Sequence, residues 1–144
     1  MKKYLTIAFL FLTLIACAQK TQSVDKDKQR LNNVCNTFMN LFTQGKTHEA
    51  LELLKQNTVM NPTSIDTLTV TIDNQMNDYF PAYGKMISYD FITERNIKDY
   101  ISKRFYILKF DKYYLKFEFT LYKASTNWTI TNFKYDEDLT ELLN

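Results

Sequence analysis

The sequence predicts an α+β domain in which three N-terminal helices pack on a four-stranded antiparallel sheet. Three observations predict it. Between Leu31 and Tyr83 the apolar residues recur with a helical period. Beyond Gly84 the period changes to two, as in strands with one buried face. Helical segments therefore come first and strands afterwards, without the alternation that a parallel sheet requires.

The first helix is read over residues 25–44. Leu31, Val34, Cys35, Phe38, Leu41 and Phe42 form a single apolar stripe. Asp25 and Asp27 suit its positive N-terminal end, and Gly45 is a natural residue just past its C-terminus. Cys35 lies on the stripe and reads as a small core residue. A second helix spans about 48–57, with Thr47 as its cap and Ala50, Leu51 and Leu54 inward.

Residues 64–83 are ambiguous. Leu68, Val70 and Ile72 alternate with threonines, as in a strand. Over the longer window Ile65, Leu68, Ile72, Met76, Tyr79, Phe80 and Tyr83 keep helical spacing. The longer pattern outweighs the shorter, because threonine costs a helix only a few tenths of a kcal/mol, roughly, per residue. The prediction is a helix capped by Ser64 and ending near Pro81.

Ile87, Tyr89 and Phe91 begin the first strand, and a second runs from about Tyr100 to Phe110. In the third, Tyr113, Leu115, Phe117, Phe119 and Leu121 alternate with Tyr114, Lys116, Glu118, Thr120 and Tyr122. Asp111-Lys112 makes the turn before it, and Lys123 to Asn127 the turn after it. In the fourth strand Trp128 and Ile130 share a face while Phe133 falls on the other, a phase slip that predicts a bulge. An acidic tail follows, with a final helical turn at 139–143.

The opening MKKYLTIAFLFLTLIACAQK is a separate matter. Thirteen residues, Tyr4 to Ala16, are apolar or nearly so. A membrane-spanning helix needs about twenty. Lys2 and Lys3 before a short apolar run closed by small residues form a secretory signal pattern. Leu14-Ile15-Ala16-Cys17 resembles the bacterial lipobox, which implies cleavage after residue 16 and lipidation of Cys17. An ordinary cut near Ala16 or Ala18 is the alternative. The division is then a signal peptide over 1–16, a lipidated tether over 17–28, and one domain over 29–144. The lipobox implies a bacterial cell-envelope location with a membrane anchor at Cys17. Ala18 in place of aspartate favours the outer membrane, on either side of it. CAQKTQ lies near the surface-export tags of Bacteroidota lipoproteins but lacks their acidic pair.

Loss of Lys2 and Lys3 leaves sixteen basic against sixteen acidic side chains. That balance argues against a nucleic-acid partner. With Cys17 lipidated, Cys35 has no partner for an internal disulfide. His48 is the only histidine, so no multi-histidine metal site exists, and no cofactor motif is present. Gly45 and Gly84 do not make a phosphate loop. The basic residues Arg95, Lys98, Lys103, Arg104, Lys109, Lys112 and Lys116 read as a solvated strand face, or as a mildly basic surface for an anionic envelope polymer.

The paired N-terminal helices, the segment YGKMISYDF and the run FEFTLYKASTNWTITNFKYDED resemble the NTF2-like domains (cystatin-like superfamily) of small bacterial lipoproteins, over residues 28–138. The resemblance implies a curved, cone-shaped sheet around a long helix, often with a pocket at its open end. Tyr83, Tyr89, Phe91, Phe117, Phe119 and Trp128 are the candidates for lining it, or are simply core. Tyr106, Tyr114 and Tyr122 form a candidate interface on the outer sheet face, through which NTF2-like proteins often pair as homodimers, although strand register could equally bury Tyr106. NTF2-like isomerases use an acid with a tyrosine or second acid; Asp90 and Asp99 match no such motif position, and no catalytic residue is assigned. The expected function is non-enzymatic binding of a small apolar ligand or a protein partner. The alternatives are an enzyme, or a degenerate one, with a pocket acid–tyrosine pair, or a toxin-immunity lipoprotein.

Overall fold

A computed structural model describes residues 25–143. The signal peptide, Cys17 and residues 17–24 of the tether lie outside the described residues. The described chain is α+β, with helices α1 (Lys26–Thr43), α2 (Thr47–Gln56), α3 (Pro62–Asp78) and α4 (Phe80–Tyr83), strands β1 (Met86–Ile97), β2 (Ile101–Phe110), β3 (Tyr114–Ala124) and β4 (Asn127–Asp136), and a final turn of helix, α5 (Thr140–Leu143). Four helices rather than three precede the sheet. The sheet is an open antiparallel meander in the order β1-β2-β3-β4.

Residues 25–28 belong to the domain and not to a tether. Asp25 caps α1 by accepting from the backbone N–H of Lys28. Its Oδ2 also accepts from the Trp128 indole at 2.8 Å and from Lys123 Nζ at 2.9 Å. Hydrogen bonds from Lys123 and Trp128 hold its carboxyl down to about 2. One aspartate thus ties the helix start to β4 and to the end of β3. Gly45 ends the helix with a positive φ, as expected of a residue in this position.

Two expected caps differ. Lys46, not Thr47, precedes α2 and makes no side-chain cap. Asn61, not Ser64, caps α3, and Pro62 occupies its first turn, where a missing N–H costs nothing. Residues 64–78 are helical despite their threonines. Thr67, Thr69 and Thr71 each donate to the carbonyl four residues earlier, so their hydroxyls stay on the helix.

The core lies between α1 and one face of the sheet. Leu31, Cys35, Phe38, Met39 and Phe42 are fully buried on α1. Phe38 meets Phe119 at 5.2 Å and Phe133 at 5.0 Å, and Phe42 meets Phe117 at 5.0 Å. Each such ring contributes about 1.5–3 kcal/mol by leaving water. Thr131 is the extra residue of a bulge in β4, because Thr120 pairs with Asn132 while Leu121 pairs with Ile130. The bulge returns Phe133 to the core face beside Ile130.

The opposite face of the sheet is not the solvated surface its charges predict. Lys116 and Glu118 are each 1% exposed. Lys116 pairs with Asp136 at 3.0 Å and donates to the Asp138 carbonyl. Glu118 is flanked by Lys103 at 3.0 Å and Lys134 at 3.1 Å. Residues 137–143 turn back across this face, and Glu141 of α5 pairs with Lys103 at 3.2 Å. Arg104 is buried on the core side, and Lys109 pairs with Asp90 at 2.8 Å. Lys103, Arg104, Lys109 and Lys116 of the run of basic residues are therefore each neutralised in an ion pair.

Candidate functional site

An aromatic cleft opens where α3 and α4 meet the ends of β3 and β4. Its geometry starts from Pro81. Proline has no N–H to continue the ladder of α3, so the chain breaks at Tyr79 and restarts as one turn, α4. Gly84 then turns the chain at φ +86°, and a Cβ there would come within 2.8 Å of Asp111. Asp111 and Lys112, the turn between β2 and β3, bond the backbone of Lys85 and Tyr83 at 3.0 Å each. This junction fixes one wall of the cleft, made of Tyr79, Phe80 and Tyr83.

Tyr83 lies within a run of stacked rings. It lies 5.8 Å from Phe80 and 4.5 Å from Tyr113, nearly parallel to both, and Tyr113 stacks on Tyr114 at 5.3 Å. The facing wall is Tyr135, whose ring stacks on Phe117 at 5.5 Å and whose hydroxyl donates to Gln75 Oε1. Burial pushes the Tyr135 phenol up. Leu115 is the floor, and Asp136 and Glu137 form the rim, around a volume of about 300 Å³. Asp136 is neutralised by Lys116. Glu137 accepts from the Tyr113 hydroxyl at 3.2 Å, a bond that pushes the phenol up, and it has no cationic partner among the described residues. The cleft thus has an aromatic lining and one carboxylate without a cationic partner among the described residues.

Tyr83 alone of the six candidate pocket residues lines this cleft. Phe117 and Phe119 are fully buried beneath α1, and Trp128 is buried with its indole on Asp25. Tyr89 donates to the Asn36 carbonyl at 3.2 Å. Phe91 is 46% exposed, with the Arg104 guanidinium 4.5 Å from its ring centre. Of the three candidate interface tyrosines, Tyr114 and Tyr122 lie on the outer face, whereas Tyr106 is fully buried on the core face. Asp90 and His48 are exposed, and His48 meets Asp73 at 2.9 Å in one of two further grooves along α2.

A second polar cluster lies between α1 and the β1–β2 end of the sheet. The Tyr106 hydroxyl donates to Asn36 Oδ1 at 2.6 Å and accepts from Arg104 Nε at 3.1 Å. Arg104 and Lys28 each engage one carboxylate oxygen of Glu94. Burial works against the Glu94 carboxylate, but Lys28, Ser102 and Arg104 outweigh it and hold the carboxyl below its usual range. An acid and a tyrosine are thus neighbours, but both oxygens of the acid are occupied by cations, which is the arrangement of a structural tie and not of a proton acceptor.

Gln75, Tyr79, Tyr135 and Glu137 were not among the residues expected from the sequence. Tyr79 reads as one more residue of a helical stripe until Pro81 is taken as a break. Tyr135 reads as outward until Thr131 is counted as the bulged residue.

Among the described residues no helix is long and apolar enough to cross a membrane, and no three histidine, cysteine or acidic side chains gather as metal ligands. The class of the domain is α+β with an open four-stranded antiparallel sheet. The chain matches no protein-family model, no curated protein and no solved structure.

Proposed function

We propose that this chain is a lipid-anchored binding protein of the bacterial cell envelope, held at the membrane through Cys17 and taking a small, largely apolar ligand in the cleft between Tyr83 and Tyr135. The observation that carries this reading is an aromatic-walled cleft left open beside a core that is otherwise filled. Sites for small ligands combine apolar walls with a few fixed polar groups. Here Gln75 and Glu137 are those groups. The same reading treats the domain as an NTF2-like cone, with α1 as the long central helix, α3 and α4 together as one bent third helix, and the cleft as the open end of the cone. Bulges in β1 and β4 support a curved sheet, since a bulge bends its strand.

Two measurements test it. Cys17→Ala is expected to release the protein from the membrane fraction; unchanged attachment with normal processing removes the anchor. Native mass spectrometry of the anchor-free domain is expected to retain a small molecule that Tyr83→Ala loses. A ligand retained equally by the variant removes the cleft.

A second reading places a protein partner on the outer face. Ile97, Ile101 and Tyr122 align across β1, β2 and β3, and Ile97 and Tyr122 are exposed. A dimer in the same mass spectra that Tyr122→Lys dissociates supports it.

A further inference from the structure

We infer that the ligand of the aromatic cleft is a small organic cation, an amine bearing methyl groups or a primary ammonium on a short carbon chain. The inference rests on the reading of the cleft as a ligand site and adds the charge of the occupant. Aromatic faces carry negative potential, so a cation within about 6 Å of a ring centre is attracted, the more so where water is excluded. The lining of the cleft meets that requirement with four aromatic rings. They are Tyr79, 65% exposed, Phe80, Tyr83 and Tyr135, together with Leu115.

The charged residues of the lining have one sign. Its lining holds two carboxylates, Asp136 and Glu137, and no lysine, arginine or histidine. Lys116 neutralises Asp136 from the outer face of the sheet. The Glu137 side chain has no cationic partner among the described residues and accepts from the Tyr113 hydroxyl. The Tyr135 hydroxyl is already committed to Gln75, so it lends no donor to an incoming anion. An anion would find only neutral donors, the Gln75 amide and the Tyr79 and Tyr83 hydroxyls, and would face a carboxylate; a neutral apolar ligand would leave the carboxylate unused. A cation satisfies both. At about 300 Å³ the cleft suits a small molecule and not a polymer.

The test uses the domain carrying Cys17→Ala and two probes of nearly equal shape, choline and its uncharged isostere 3,3-dimethylbutan-1-ol. Binding is followed through the ring resonances of Tyr79, Tyr83 and Tyr135 in aromatic NMR spectra. Choline is expected to shift these rings and to bind about tenfold tighter than the isostere. Glu137→Gln, at an exposed position, is expected to weaken choline about three- to tenfold and leave the isostere unchanged. Tyr79→Phe keeps a ring face and therefore keeps choline binding; Tyr79→Leu keeps an apolar side chain and loses it. Equal affinity for the two probes, or tighter binding of the isostere, overturns the cation while the cleft stands as an apolar site. Binding of neither probe to the folded protein also overturns the inference, and the cleft itself is then judged by whether the mass spectra retain a ligand that Tyr83→Ala loses.

Discussion

Tyr106 shows how much one side chain can depend on the parity of a turn. Its hydroxyl donates to Asn36 Oδ1 and accepts from Arg104; Tyr106 and Arg104 are buried on the core face, and Asn36 is an exposed residue of α1. Tyr106→Phe keeps the packing and removes both bonds. Water can replace the partner of the exposed Asn36, but buried Arg104 Nε is left without its acceptor, at a cost of about 1 kcal/mol or more. The expected result is a lower urea midpoint with an unchanged slope, followed by the fluorescence of Trp128, the only tryptophan. An unchanged midpoint would mean that the pair is solvated and the network contributes nothing. The sequence suggests Tyr106 beside Tyr114 and Tyr122 because the three are spaced by eight. The observed turn reverses that parity: Leu108 pairs with Leu115, so even positions of β2 share a face with odd positions of β3, and Tyr106 sits opposite Phe117. Residue types alone do not reveal this register, whereas the burial of Cys35 and Phe38 follows directly from helical period.

At the scale of elements, the long ones and the places where they break were legible, near Pro81 and in β4, but what those joints bring together was not. The stripe of α1 and the alternation of β3 are strong because many residues repeat one instruction. The α3–α4 break and the β4 bulge each depend on a single residue, Pro81 or Thr131, and the cleft is built from those two joints. The placement of α5 had no sequence signal beyond acidity. Its Glu141 carboxyl is held below its usual range first by a hydrogen bond with Glu118 and then by Lys103, and Asp138 is held low by Thr140. Depressed carboxyls stabilise the contact fully above their unfolded values, about 4.3 for glutamate, and the stabilisation is lost as pH falls below that. The groups facing Glu141 are Glu118, Lys103 and Lys134; both lysines keep their charge throughout this range. Lowering the pH from 6 to 3 is therefore expected to move the amide resonances of residues 141–143 toward unfolded positions while those of Phe117 and Phe119 stay fixed. Glu141→Gln is expected to remove most of that pH step. A tail that holds its position at pH 3 would show that apolar contacts, and not the acids, secure it.

At the scale of the whole molecule, α1 is the member through which every layer communicates. Its apolar face packs on β3 and β4, Asp25 and Lys28 tie its first turn to β4 and β1, and α2 lies along it. No part of this core separates without the helix moving, so the domain should open as one unit. Cys35 reports on that opening. It is fully buried at the middle of α1, and burial pushes its thiol up to about 12. The reactive species is the thiolate, and a free cysteine reaches it near pH 8.5. In the Cys17→Ala chain at pH 8, labelling by a disulfide reagent is expected to run at least about a thousandfold slower than for an exposed thiol. The rate should rise with urea in parallel with loss of the Trp128 signal. Because the folded thiol is raised, the native state gains from Cys35 at pH values below about 8.5 and loses that gain as pH climbs toward 12. Protection should accordingly weaken from pH 8 to 10 by more than thiol ionisation alone explains. Rapid labelling in the absence of urea, with Trp128 fluorescence still native, would mean that α1 lifts away by itself, and the single shared core would then be the wrong description of the domain.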